Sequence, residues 1–177
     1  MNLRLFIATA ALVSGVATGA LAQETSSQTT TSTGTVFKPI VLTKNTDLSF
    51  GKVVRPATGS GVVNIAAVDG ARTISGSGAL ITGPGGQATP GRATYSVAGE
   101  GGQAFSITVP ANFNMIRSGG AETLAVTLTS TATSGTLSGA LGSAGSLAFG
   151  VGGSIPLANN TATGAYTGTF QVTVQYN

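Results

Sequence analysis

The sequence predicts an all-β domain, an antiparallel sandwich or barrel of about 8–10 strands. Three observations carry this. Val, Ile, Leu and Phe recur at every second position in short runs, most regularly in Phe170-Gln171-Val172-Thr173-Val174-Gln175-Tyr176, which is the period of a half-buried strand. No stretch beyond the first 22 residues keeps the 3.6-residue period of an amphipathic helix. The 27 glycines and the many β-branched residues also fall too densely for helices to compete.

The first residues read as an address. Arg4 precedes an apolar, Ala-rich stretch from Leu5 to Gly19, and Ala20-Leu21-Ala22 fits the small-x-small rule for cleavage between Ala22 and Gln23. The rival, a membrane-spanning helix, is disfavoured by the Ser, Thr and Gly within the stretch and by the lack of a basic stop-transfer cluster after it. Residues 1–22 are therefore expected to be a signal peptide, leaving no transmembrane segment once removed. Residues 23–35, "QETSSQTTTSTGT", hold no apolar side chain and are expected to be a polar, flexible leader. Residues 36–177 are expected to form the β-domain.

Within that domain the strands are read in order. Val36 to Thr43 is extended, and Pro39 bars it from a central position. Asp47 to Val54 sets Leu48, Phe50 and Val54 on one side, and Val62 to Val68 groups Val63, Ile65 and Ala67. Asp69-Gly70-Ala71-Arg72 reads as a tight turn. Ala93 to Val97 and Gln103 to Val109 suggest a second hairpin across Gly99 to Gly102. Leu124, Val126 and Leu128 follow, then Leu147, Phe149, Val151, Ile155 and Leu157. Gly83 to Gly91 and Gly135 to Gly145 read as long loops. The first lacks the Gly-Lys-Ser/Thr ending of a phosphate loop.

Composition excludes several functions. Beyond Arg4 the cations are Lys38, Lys44, Lys52, Arg55, Arg72, Arg92 and Arg117, too scattered to track a phosphate backbone, so no nucleic-acid partner is expected. The chain has no Cys, His or Trp. Without His the common hydrolytic mechanisms lack their base, and without His or Cys a zinc site would be all-carboxylate. Glu24, Asp47, Asp69, Glu100 and Glu122 stand singly and are expected to be solvated surface charges. Calcium at loop carbonyls with Asp47 or Asp69 is the minor alternative. No enzyme and no cofactor is expected.

The last strand, Gly164 to Asn177, supports three readings: a half-buried closing strand, the final strand of a small outer-membrane barrel, or an assembly strand. The third rests on a resemblance. With Tyr176 next to last and Gly164 fourteenth from the end, the segment resembles the terminal strand of chaperone–usher pilus subunits. "TDLSFGKVV" (46–54), "GGQAFSITVP" (101–110), "VGGSIPL" (151–157) and "YTGTFQVTVQYN" (166–177) are also similar to the secreted family called domain of unknown function 4402, with a pattern akin to fimbrial and spore-coat-type subunits.

This resemblance implies an immunoglobulin-like, pilin-like β-sandwich lacking one strand, and an exported structural or adhesive subunit that polymerises by donor-strand exchange. Gly164, Phe170, Val172, Val174 and Tyr176 would form the assembly strand. Like subunits, a periplasmic chaperone and an outer-membrane usher would be the partners, and a fimbrium at the cell surface the destination. Val36, Ile40 and Leu42, within residues 36–42, are the candidate donor strand, interrupted by Lys38, unless that segment completes its own sheet. The alternative is a self-complete secreted domain that binds a surface or matrix component.

Overall fold

The computed structural model describes residues 25–82 and 89–177. Residues 1–22, the Ala22–Gln23 cleavage point and most of the Gly83–Gly91 loop lie outside the described residues. The chain divides into two units, residues 1–35 and 36–177. The described part of the first, residues 25–35, is exposed and carries no strand.

The second unit is all-β, with antiparallel pairing throughout and no helix among the described residues. Thirteen strands are present among the described residues, more than expected because several are only two or three residues long. Its spine is β11 (Ala144–Ala158), a 15-residue strand. The first half of β11 pairs with β6 (Ala93–Glu100) and the second half with β3 (Ser60–Ile65). Its opposite edge pairs with β9 (Thr123–Ser130). Outward from this spine, β6 carries β1 (Val41–Thr46), β3 carries β4 (Arg72–Gly76), and β9 carries β8 (Asn112–Arg117), which pairs with β12 (Tyr166–Thr167). A three-stranded sheet, β10 (Ser134–Thr136), β7 (Ala104–Thr108) and β13 (Thr173–Tyr176), and a two-stranded pair, β2 (Val53–Val54) with β5 (Ala79–Leu80), supply the remaining cover.

Alternation decides the faces. Along β9, Leu124, Val126 and Leu128 are buried while the residues between them are exposed. They join Val63, Ile65, Val97, Phe105, Val151 and Ile155 in one apolar core. At roughly 25 cal/mol per Å² of apolar surface removed from water, this packing is the main stabilising contribution. The turn at Asp69 forms as expected: its carboxylate accepts the Ala71 N–H at 2.9 Å, closing the link between β3 and β4.

Three expectations are corrected. β6 and β7 do not pair as a hairpin. β1 and β11 occupy both edges of β6, and β7 lies between β10 and β13. Both strands present apolar faces (Tyr95 and Val97, Phe105 and Ile107), which are buried in the shared core. Val54 is exposed and Val53 packs on the core, because Gly51 at φ +65° slips the alternation by one residue. The expected loop at Gly135 to Gly145 shrinks, since β10 and the start of β11 claim its ends and Leu137 is buried within it.

Truncating the fully covered Phe105 to Ala should lower stability by about 3–5 kcal/mol, read as a lower urea midpoint at an unchanged slope.

Candidate assembly groove

Several strands pair on one side only: β1 with β6, β4 with β3, β12 with β8, β10 and β13 with β7, and β2 and β5 with each other. Between β12 and β13, residues Gly168–Val172 have no ladder partner. Beside them runs a groove of mixed polar and apolar lining in two parts, of about 430 Å³ and about 190 Å³, the smaller of which is lined by Gly168, Thr169 and Phe170. One wall is the chain from Lys44 to Val53 and the other the chain from Gly164 to Phe170. Leu48, Phe50 and Met115 line both parts.

The first wall is anchored by charge. The Arg72 guanidinium donates to the carbonyls of Phe50 at 2.9 Å, Lys52 at 3.1 Å and Ile81 at 2.8 Å. At its entrance the Lys44 Nζ meets the Asp47 carboxylate at 2.5 Å. That hydrogen bond and charge raise the lysine above its ordinary value. On the floor, Tyr95 stacks on Phe149 with ring centroids 5.1 Å apart, and burial pushes its phenol upward. Outside the groove lining, with its side chain against Gly164, Arg117 grips both oxygens of Glu122 at 2.7 and 2.9 Å. This fork raises the arginine and holds the Glu122 carboxyl below its ordinary range.

Of the sequence-predicted assembly residues the structure brings Gly164 and Phe170 to the groove and leaves Val172, Val174 and Tyr176 outside its lining. Gly164 lies at the groove, packed against the Arg117 side chain. Phe170 lines the groove and meets Phe113 with centroids 5.1 Å apart. Val172, Val174 and Tyr176 keep the expected inward parity, with Gln171, Thr173 and Gln175 exposed, and pack on the core along β7. All four inward side chains are only half-buried, unlike those of β9.

Ile40 and Leu42 pack on the same domain's core, and Leu42 lies opposite Val97 in β6. Val36 is 92% exposed. Residues 36–42 therefore do not form one free strand here. The groove residues Leu48, Phe50 and Met115 were not singled out as a site by sequence reading, because nothing in their spacing marks them as walls.

Glu100 differs from its expected surface role: it is 2% exposed. Its carboxylate accepts the Lys38 N–H at 3.2 Å and the Gly142 N–H, and these bonds, the Gly142 one foremost, hold its carboxyl below the ordinary range. The tract Gly99-Glu100-Gly101-Gly102 was the available signal, since glycines on both sides let backbone close over a carboxylate. Among the described residues no cluster of three or more His, Cys, Asp or Glu could hold a metal, and no helix is long and apolar enough to cross a membrane.

The fold and rim define a class: an all-β, antiparallel domain with a filled core, open sheet edges and a groove of mixed lining near one of them. The chain belongs to the family described as Domain of unknown function (DUF4402), whose model matches residues 40–176. No curated protein and no solved structure matches it.

The half-buried parity of the β13 rim is directly testable. Val172→Asp would place a charge against the core and should abolish accumulation of folded protein, whereas Thr173→Asp, on the solvent face, should leave yield and the circular dichroism spectrum intact.

Proposed function

We propose that the chain is an exported structural or adhesive surface subunit, an immunoglobulin-like, pilin-like sandwich that polymerises with like subunits by strand exchange. A periplasmic chaperone and an outer-membrane usher would handle it on the way to the cell surface. One observation carries this reading: Gly168–Val172 lack a ladder partner beside a groove that offers the apolar side chains of Leu48, Phe50 and Met115. An added strand gains affinity from backbone pairing at such an edge and specificity from alternate side chains in the groove. Each aliphatic side chain buried there would contribute about 1.5–3 kcal/mol before ordering costs. Repeated head to tail, the contact generates an open fibre.

The donor proposed is Val36–Leu42 of a second copy. Val36 is already exposed and Phe37 is 44% exposed. Donation requires Val41 and Leu42 to leave Ala98 and Val97, their partners in β6. That same pairing favours the second reading, a self-complete domain that binds a surface component and never exchanges strands.

Concentrated chain spanning residues 23–177 separates the two. Strand exchange predicts a ladder of oligomers that resists detergent at room temperature and collapses to one band on boiling. A peptide of residues 36–42 should raise the monomer's Tm by binding the folded state alone. Ile81→Asp, at a half-exposed position on the groove, should remove the ladder and leave the monomer's unfolding midpoint unchanged. A chain that stays monomeric, unfolds cooperatively and ignores the peptide would establish the self-complete domain instead.

A further inference from the structure

Glu100 and Tyr176 converge on the main chain of one residue. The Glu100 carboxylate accepts the Lys38 N–H at 3.2 Å, and the Tyr176 hydroxyl donates to the Lys38 carbonyl at 2.9 Å. The two grips are tied together, because the same hydroxyl accepts the Glu100 N–H at 2.7 Å. The Phe37 ring meets the Tyr176 ring at a tilt of 59°, with centroids 6.0 Å apart. Gly99 leaves the space this needs: a methyl group there would strike the Tyr176 hydroxyl and come within 3.0 Å of Leu137 Cδ1. Lys38 precedes β1, which starts at Val41, so no ladder holds it. Pro39 has no N–H to offer one.

We propose that Glu100 and Tyr176 form a clasp on Lys38 that seats Phe37–Ile40 on the domain and can release them without unfolding the sandwich. The hold is local. It consists of the two bonds to Lys38, the Phe37–Tyr176 ring contact and the partial packing of Ile40, and Val36 just beyond is free in solvent. A segment held by so few contacts opens at far lower cost than strands in the core. That the freed segment then becomes the donor for a neighbour rests on the function proposed above; the clasp itself does not.

The clasp should also respond to acid. From the held segment the Lys38 ammonium faces Glu100, and from β13 the Tyr176 hydroxyl does. Residues 138–143 and the start of β11 bring no titratable group. Glu100's folded value is depressed, so the stabilisation it supplies is present above the ordinary carboxylate range and is lost as pH falls through that lowered value.

Amide hydrogen exchange of the monomer, resolved by residue, tests the clasp. Glu100→Ala should speed exchange at the Lys38 amide by about tenfold or more, the order expected for losing a hydrogen bond to a charged group, with Val63 and Val97 unchanged. Tyr176→Phe keeps the ring and should speed Lys38 exchange less, again without touching the core. In the wild type the Lys38 amide proton shift should follow an acid titration that is absent in Glu100→Gln.

An unprotected Lys38 amide in the wild type would overturn the clasp. So would equal acceleration at Lys38 and Val97, or failure of all three variants to fold, since either makes Glu100 part of the global structure. Chain that never polymerises yet shows the expected exchange pattern would remove the assembly reading and leave the clasp standing.

Discussion

The structure depends on β11 being hydrogen-bonded along both edges. Strands from three directions, β6, β3 and β9, meet on it, and one inward row from Phe149 and Val151 through Ile155 and Leu157 runs along its length into the common core. Because β6 and β3 share one edge of β11 in succession, the sheet parts where one gives way to the other. The groove's floor reflects this junction: Tyr95 comes from β6, Leu124 from β9 and Ile155 from the second half of β11. An open groove at that junction is a consequence of how the spine distributes its partners.

The chain holds its loops to this frame without disulfides. Each arginine beyond the leader donates to backbone carbonyls outside its own strand: Arg55 to Thr161 at 2.8 Å, Arg72 to three carbonyls of the groove wall, Arg92 to Ala67 at 2.6 Å and Arg117 to Thr163 at 3.5 Å. A guanidinium suits this work because it stays charged and presents several donors in a fixed fork. A residue type scattered along the sequence, and uninformative as a binding patch, therefore acts as a set of clips at widely separated loops.

What was legible in the sequence was local. The two-residue period placed the inward rows of β3, β9, β11 and β13 correctly, since parity follows from strand geometry alone. Partner choice was not legible. The apolar faces of β6 and β7 fit a hairpin or a face-to-face stack equally well, and only competition for the edges of β6 by β1 and β11 decides between them. Glu100 was misread for a related reason: its isolation in sequence suggested solvent, whereas its hydrogen-bond donors are the backbone N–H groups of Lys38 and Gly142, 62 and 42 residues away. The groove escaped notice because its walls, residues 44–53 and 164–170, acquire meaning only once they lie opposite each other.

Edge chemistry distinguishes this rim from the others. An exposed strand edge invites pairing with another chain, and proteins commonly blunt it with short strands, charge, proline or bulges. β2, β5, β10 and β12 are two or three residues long, and β4 carries Arg72. β1 follows Pro39, carries Lys44 and has a register shift between Lys44 and Thr46. From Gly164 to Tyr176 there is neither a charge nor a proline, and the inward side chains Phe170, Val172, Val174 and Tyr176 stay half-covered. Within this stretch Gly168–Val172 has no ladder partner, and with no charge or proline to blunt it it is the part of the rim to which the proposed strand addition would apply.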